Sequence, residues 1–497
     1  MLVLGLSVRL VHISALPYDF HVDRQYFDAL RAQAEYDDIT HAPIALRRAA
    51  DANRAYEGDL EPPIMEQIAV WGYEIVGHED LTIPFAAAAV IWVAGAIFLY
   101  LLVVRLVSVA AAFVATAFDL FAPFGVAASR AFMPDPLMLS LALLAVYLAL
   151  RYHQAPSRRI LALTILAGAA AIWAKPMSVF LVAPAFGAFH LAAKGWRRAA
   201  LSSDLWAFVV GAGAPPGAFY LYEYLSGSFE KGAGTRLQFS IFTHPAFWHQ
   251  WIVMVDDVLR MSAIRGEAIV VLSFFGLLVS RRWARTLLIA LFAGYFLFGL
   301  VFATHIYDSD YYSLSLIPIV GISLGSLATW VLDGLRHWRP VAAVATTVVL
   351  VVLLAGYVAL SRGSFYANLA TPQAQIPSPA LDRHIGDVVG HSTHVLFLAQ
   401  NFGETIAYYG GVASDVSWPS LTDLAHAEIN GERAEATLSV PARMAQITSQ
   451  YHPRWFVITL ASQLRLQPAL RPYLERHFLL SAQGSGYWIY DLAAPPS

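Results

Sequence analysis

Several ionisable side chains of this chain stand at the ends of apolar runs, where chemistry between water and lipid is feasible. Pro17-Tyr18-Asp19-Phe20-His21-Val22-Asp23-Arg24 follows a first apolar run and carries two carboxylates. A carboxylate there could take the proton from a hydroxyl that is being joined to an activated sugar. The alternative is a pair of ordinary loop acids, and Asp23 suits the cap of a helix that starts near Arg24. Arg130 closes one apolar run and Asp135 opens the next, behind Pro134. Either they form a local ion pair with helix capping, or Arg130 meets a phosphate and Asp135 orients the site. Lys175-Pro176 sits at a short turn, where a cation could stabilise a leaving phosphate or simply snorkel. His305, Tyr307, Asp310, Tyr311 and Tyr312 form a polar and aromatic cluster before another apolar run. The tyrosines suit an interfacial aromatic belt, and His305 and Asp310 are the better functional candidates. Glu61-Pro62-Pro63 is a rigid turn whose acid could face the same place.

These residues need a membrane frame, and composition supplies it. The 497-residue chain is 58% hydrophobic and only 13% charged, against about 25% charged in soluble domains. Its mean hydropathy is +0.55. A net charge of −3 argues against nucleic acid as a partner. The absence of cysteine excludes disulfides, thiolate metal sites and cysteine nucleophiles. No P-loop, dinucleotide fingerprint, Gly-x-Ser-x-Gly or paired His/Asp metal spacing occurs. No cofactor is therefore expected, and a divalent ion on Asp19, Asp23 and Asp135 is not indicated.

Apolar runs fall at roughly 82–104, 106–127, 134–150, 160–174, 177–193, 205–224, 267–280, 284–304, 311–332 and 340–360. Met1 to Leu16 has no basic leader or cleavage site and reads as a short first span, with Arg9 snorkelling or the start lying upstream. The expectation is a mainly α polytopic membrane protein with about eleven spans. The basic positions Arg105, Arg151/Arg158/Arg159, Lys194/Arg197/Arg198, Arg281/Arg282/Arg285 and Arg336/Arg339 fall at every second connection. They share one face, which is expected to be cytoplasmic. Asp19, Arg130, Asp135, Lys175 and His305 then gather on the other. Ionisable groups at membrane depth are costly and usually functional.

The first outer loop, 17–80, holds 14 acids, five arginines and no lysine. Arg24 to Ala55 reads as helix interrupted at Pro43, and Gly58 to Pro63 as a break. Ile64, Ile68, Trp71 and Ile75 recur at helical spacing, as in a helix lying on a membrane surface. The loop 225–266, with Gly227, Gly232 and Gly234 beside Lys231 and Arg236, suits a mobile lid or a merely flexible loop. Residues 1–361 form the membrane part. After a linker at Pro372 to Pro379, residues 364–497 read as a small α/β domain outside the membrane. Its strands are expected at His394 to Ala399, Trp455 to Thr459 and Tyr487 to Leu492, and its helices at Glu404 to Tyr409 and Pro468 to Phe478.

In combination, the acidic first loop, Arg130-x-x-x-Pro134-Asp135, Lys175-Pro176 and His305…Tyr311-Tyr312…Pro318 resemble the GT-C fold glycosyltransferases. The resemblance is to the family 39 group of protein O-mannosyltransferases and lipid A aminoarabinose transferases, over roughly residues 1–330. It implies an inverting transferase that moves a sugar from a polyprenyl-phosphate donor to a lipid, glycan or protein acceptor. It also implies action on the periplasmic side of a bacterial inner membrane. The family places adjacent acids in the first loop; here the register reads Val22-Asp23, so Asp19 and Asp23 both stand as candidate bases. Asp135 and Lys175 match the family's second outer-loop acid and its Lys-Pro position, and Glu61-Pro62-Pro63 its Pro-Pro motif. Arg130, Lys175 and His305 would hold the departing phosphate, with Asp310, Tyr311, Glu61, His21 and Arg24 as further substrate contacts. The rival reading is a flippase or transporter of lipid-linked sugar. Transporters tend to show repeated halves with midplane sites, which this chain lacks.

Overall fold

The computed structural model describes all residues except 58–60, 228–238, 262–263, 339–377, 415, 425–436 and 496–497. In chain order its helices are α1 Leu2–Leu10, α2 Val22–Thr40, α3 Ile44–Glu57, α4 Ile64–Val76, α5 Thr82–Leu106, α6 Val109–Phe121, α7 Pro123–Ala128, α8 Asp135–Gln154 and α9 Arg158–Ala174. They continue as α10 Val179–Lys194, α11 Trp196–Ala200, α12 Ser203–Ser226, α13 Pro245–Leu259, α14 Gly266–Val279, α15 Arg282–Val301, α16 Ala303–Asp308 and α17 Leu316–Trp338. The chain divides into two compact units. One comprises Met1–Phe20, Asp59–Met65 and Leu81–Thr371; the other comprises His21–Gly58, Glu66–Asp80 and Pro372–Ser497.

The first unit is helical. Among the described residues, five helices are long and apolar enough to cross a membrane: Thr82–Leu106, Asp135–Gln154, Pro176–Lys194, Arg282–Val301 and Asp310–Leu335. Val109–Phe121 and Gly266–Val279 are apolar but shorter. This corrects the expectation of about eleven spans. The run 106–127 is broken at Ala122-Pro123 into α6 and α7, because proline cannot continue a helix. The N-terminal run forms only the nine-residue α1. Helix α12 is 24 residues long but holds Asp204, Glu223 and the pair Pro215-Pro216. The expected span at 340–360 lies outside the described residues.

Arg9 is not a snorkelling residue. It is fully buried, and its guanidinium donates to Ser129 Oγ (2.5 Å), Gly5 O and Leu120 O (both 2.8 Å). Buried charge is tolerable only when it is hydrogen-bonded, so α1 is pinned to the α6–α8 connection.

Close helix packing in this unit depends on small residues. On α17, Gly321 and Gly325 are one turn apart and face Ala115 and Ala111 of α6. A Cβ at Gly325 would fall 2.5 Å from Ala111 O, and one at Gly321 2.9 Å from Ala115 O. This small-xxx-small arrangement lets backbones approach where lipid offers no hydrophobic drive for association. Polar side chains add cross-links, Ser108 Oγ to Thr329 Oγ1 at 2.7 Å and Ser323 Oγ to Ser273 O at 2.5 Å.

The second unit joins the first-loop helices to a five-stranded sheet. Its strands are β1 Val395–Leu398, β2 Val416–Ser417, β3 Trp455–Ile458, β4 Leu479–Gly484 and β5 Tyr487–Asp491. The order is β2-β1-β3-β5-β4, with β1 parallel to β2 and β3, and β5 antiparallel to β3 and β4. Strands β2 and β4 were not expected: the first is two residues long, and the second has no fully buried residue. Helix α2 packs on the helix Glu404–Gly410. Tyr26 lies against Tyr408 and Tyr409, its hydroxyl 3.0 Å from that of Tyr409, and Asn53 Nδ2 donates to Val412 O. The compact units therefore cut the chain differently from a division at residues 361–364, because these contacts tie most of the 17–80 loop to the sheet. Helices α2 and α3 stop and restart around Pro43, and α4 presents Trp71 (57% exposed) and Ile75 (86%) outward while burying Met65, Ala69, Val70 and Tyr73.

The stretch 225–266 is not a single loop. It contains the end of α12, a 3₁₀ turn Phe239–Thr243 and the 15-residue α13, whose Trp251 donates to Tyr295 Oη at 2.8 Å. Lys231, Gly232, Gly234 and Arg236 lie outside the described residues, as does most of the expected 372–379 linker and part of the 58–63 break.

Gly325→Val forces α17 away from α6. We expect a loss of about 1–3 kcal/mol, read as a lower thermal midpoint of the detergent-solubilised protein, while Gly334→Val, with open space around its Cβ position, leaves the midpoint nearly unchanged.

Candidate active site

Lys175 ends α9. The following Pro176 disfavours helical backbone at the residue before it, and Lys175 accordingly adopts φ −159, ψ 123. Asp135 opens α8, where a carboxylate faces the positive end of the helix dipole. The two meet. Lys175 Nζ donates to Asp135 Oδ2 at 2.8 Å and Oδ1 at 3.0 Å, and Glu61 Oε1 lies 3.7 Å away. Lys175 is 1% exposed and Asp135 4%. The ammonium also lies over the rings of Tyr311 (5.0 Å) and Tyr312 (5.3 Å). His305 packs edge-on against Tyr312 at 4.7 Å. Asp310 starts the 3₁₀ turn Asp310–Ser313 that presents these tyrosines.

Two cavities meet at this place. One is lined by Asp135, Lys175, Tyr311, Tyr312, Phe180 and neighbouring residues. The other is walled by aliphatic side chains such as Leu102, Leu139, Leu143 and Ile319. Leu181 and Ser315 line both. A charged head group and an apolar tail would find matching surfaces in adjoining spaces.

Arg130 does not pair with Asp135. It is buried, and its two terminal nitrogens donate to Val11 O (2.9 Å) and His12 O (2.8 Å), which fixes the chain leading to Asp19. Burial pushes the Asp19 carboxyl above its ordinary value, and the Arg130 charge opposes that shift. Asp19 Oδ2 is buried without a hydrogen-bond partner among the described residues.

His21, Asp23 and Arg24 fold with the second unit. The cap position of α2 is His21, with a left-handed φ of 34 and no side-chain cap bond; Asp23 lies in the first turn. This corrects the expected cap role of Asp23: the helix starts at Val22, two residues too early for it. Arg24 pairs with Asp28 at 3.5 Å and lies over the Phe27 ring.

The structure thus gathers Asp135, Lys175 and Tyr311 at one cavity, with Glu61 3.7 Å from the lysine, and Asp19 with Arg130 as a second group. Sequence reasoning placed Tyr312 in an aromatic belt, whereas its ring faces the lysine. It gave no role to Tyr295, whose hydroxyl joins Ser313 (2.7 Å) and Trp251 at the cavity wall. Among the described residues no cluster of three or more His, Asp or Glu side chains is placed to hold a metal ion.

Apolar helices with buried charged residues at their ends and a C-terminal mixed sheet give this chain a fold similar to that of solved GT-C glycosyltransferases, and its motifs resemble those of the family 39 group. Residues 60–214 match the family described as dolichyl-phosphate-mannose-protein mannosyltransferase. The chain is similar in structure to ArnT from Cupriavidus metallidurans in the apo state (16% identity, TM-score 0.55, covering 100% of this chain and 98% of that one). It is also similar to ArnT bound to undecaprenyl phosphate (17%, 0.54, 99% and 98%). A third match is the oligosaccharyltransferase AglB from Archaeoglobus fulgidus in complex with an inhibitory peptide and a dolichol-phosphate (11%, 0.52, 98% and 73%). No curated protein matches the sequence.

Removing only the cation should be worse than removing the pair. Lys175→Met leaves the buried Asp135 carboxylate without its ammonium partner, and we expect a loss of about 3–5 kcal/mol. The double variant Lys175→Met/Asp135→Leu should recover much of it. Thermal unfolding in detergent measures both, and equal loss in the two would remove the pair as the cause.

Proposed function

We propose that this protein is an inverting membrane glycosyltransferase that moves a sugar from a polyprenyl-phosphate donor to an acceptor hydroxyl. The reading places the reaction on the periplasmic face of a bacterial inner membrane, as the family resemblance implies. The observation that carries it is Lys175, held by Asp135 at the wall of a largely apolar cavity that shares lining with an aliphatic one. Relatives of the same fold, solved with undecaprenyl phosphate and with a dolichol-phosphate, support the lipid-phosphate class.

In this mechanism the acceptor oxygen attacks the sugar's anomeric carbon as the bond to the phosphate oxygen breaks. The electron pair leaves on the lipid phosphate, and the acceptor proton passes to a carboxylate. Lys175 meets the charge that develops on the phosphate, and Asp135 holds the ammonium in place beforehand, so no reorganisation is needed as the bond breaks. Tyr311 and His305 flank that position; Glu61 and Asp310 complete the polar surroundings. Asp19 is the favoured base, because its buried carboxylate holds a proton more tightly than an exposed one. Arg130 positions the segment that carries it. Asp23 is the alternative base, with His21 and Arg24 as substrate contacts.

Purified protein given an undecaprenyl-phosphate-linked labelled sugar and an acceptor mixture should release undecaprenyl phosphate as label transfers. Lys175→Met should slow this by at least ~10²-fold, and Asp19→Asn by a similar ~10²-fold or more. Lipid movement across vesicles without transfer would support a flippase instead, and a wild-type rate for Asp19→Asn with a slow Asp23→Asn would transfer the base role to Asp23.

The base must be ionised to act, so activity falls as pH drops through the pKa of Asp19. Burial raises that pKa and Arg130 lowers it. Arg130→Gln should therefore move the acid limb of the kcat/KM profile to higher pH; a limb that stays in place means that Arg130 does not act on the base.

A further inference from the structure

A chain of hydrogen bonds ties α13 to the wall of the lysine cavity. An indole nitrogen only donates, so Trp251 Nε1 gives its hydrogen to Tyr295 Oη at 2.8 Å. Tyr295 Oη shares a second hydrogen bond, of 2.7 Å, with Ser313 Oγ. All three residues are buried. The sequence of α15 provides the seat for this chain. Tyr295 and Gly299 stand about one turn apart on one helix face, and a Cβ at Gly299 would overlap the Trp251 ring. Phe298 lies between them in sequence, and its ring centroid is 6.3 Å from that of Tyr312. Helix α13 is itself anchored near its far end, where Asp256 Oδ1 accepts from Gly266 N at 2.6 Å.

The chain of bonds ends beside the lysine. Ser313 closes the 3₁₀ turn Asp310–Ser313, whose two middle residues are Tyr311 and Tyr312. Their ring centroids are 4.3 Å apart, and the Lys175 ammonium lies 5.0 and 5.3 Å from them. Tyr295, Phe298, Tyr311 and Tyr312 line the same cavity as Lys175 and Asp135. Phenylalanine and alanine would fill the places of Tyr295 and Ser313 without needing partners. A satisfied buried polar network does what apolar packing does less well: it holds one arrangement to the exclusion of others. The arrangement held here is that of the turn carrying the two rings.

We infer that Tyr295 is a positioning residue of the phosphate site: through Ser313 it fixes the turn that keeps the Tyr311 and Tyr312 rings against the Lys175 ammonium, and Trp251 fixes Tyr295 in turn. The inference rests on the reading of Lys175 as the cation that meets the lipid phosphate. Tyr295 acts on that cation through the turn. A cation over an aromatic face is attracted by the ring's negative potential, and the rings cover one side of the ammonium against water while Asp135 sets its direction. A shifted turn takes the rings away and admits water, which an arriving phosphate must then displace. Tyr295→Phe keeps the ring and removes the oxygen that Trp251 and Ser313 share. Ser313→Ala breaks the same link from its other end.

The test titrates the full-length protein in detergent with undecaprenyl phosphate and with undecaprenol, the same hydrocarbon chain without the phosphate. Tyr295→Phe and Ser313→Ala should each weaken undecaprenyl phosphate binding roughly 5–10-fold and leave undecaprenol binding unchanged. The double variant should bind no more weakly than the weaker single one, because both changes break one bond. A general loosening of the helices would weaken both lipids alike. Three results overturn the inference alone: both variants bind undecaprenyl phosphate as the wild type does while Lys175→Met binds it weakly, the two lipids lose affinity equally, or the losses add in the double variant. A wild type that does not bind undecaprenyl phosphate, or a Lys175→Met variant that binds it as tightly as the wild type, removes the reading of Lys175 itself and the inference with it.

Discussion

The ion pair between Lys175 and Asp135 is the constraint on which the catalytic reading turns. Two opposite charges at about 4 Å attract by roughly 4 kcal/mol in the effective dielectric of a protein, and removing each from water costs several kcal/mol. Such a pair contributes little net stability and could be replaced by hydrophobic side chains. Its presence at the ends of two helices, with Glu61 beside it and two tyrosine rings beneath the ammonium, is better explained by use. The cation is already dehydrated and oriented, so an arriving phosphate would not need to strip its water. The aliphatic cavity next to it has no polar wall to satisfy and suits a hydrocarbon chain.

Around that pair the first unit is arranged by two arginines and a row of small residues. Arg9 and Arg130 together draw the N-terminal segment against the turn between α6 and α8. Arg9 holds backbone oxygens and Ser129, while Arg130 holds the carbonyls of Val11 and His12. Asp19 follows directly on this pinned segment. Its raised pKa is therefore a consequence of packing: the carboxyl is buried because the chain before it cannot swing away. The glycines of α17 allow α6 to lie close, and α6 in turn supports the turn that carries Arg130.

The second unit shows the same economy with different means. Helices from the first loop complete a domain whose sheet comes from the other end of the chain. Tyrosine contacts and the Asn53 bond to Val412 O join segments more than 350 positions apart.

The sequence by itself determined the class and the inventory. Low charge and long apolar runs specified a membrane protein, and the order of Asp19, Arg130, Asp135, Lys175 and His305 pointed to the GT-C fold. Strands β1, β3 and β5 were legible because a continuous apolar run between turn residues has few other uses. Partner choice was not legible. Nothing local distinguishes an Arg130–Asp135 pair, five residues apart, from the Lys175–Asp135 pair, forty residues apart, since the choice is made by where α8 and α9 end in space. Arg9 looked like a snorkelling residue because its acceptors are backbone oxygens and a serine 120 positions away. The span count failed for a related reason: hydropathy registers apolar length, while prolines such as Pro123 decide whether that length is one helix or two.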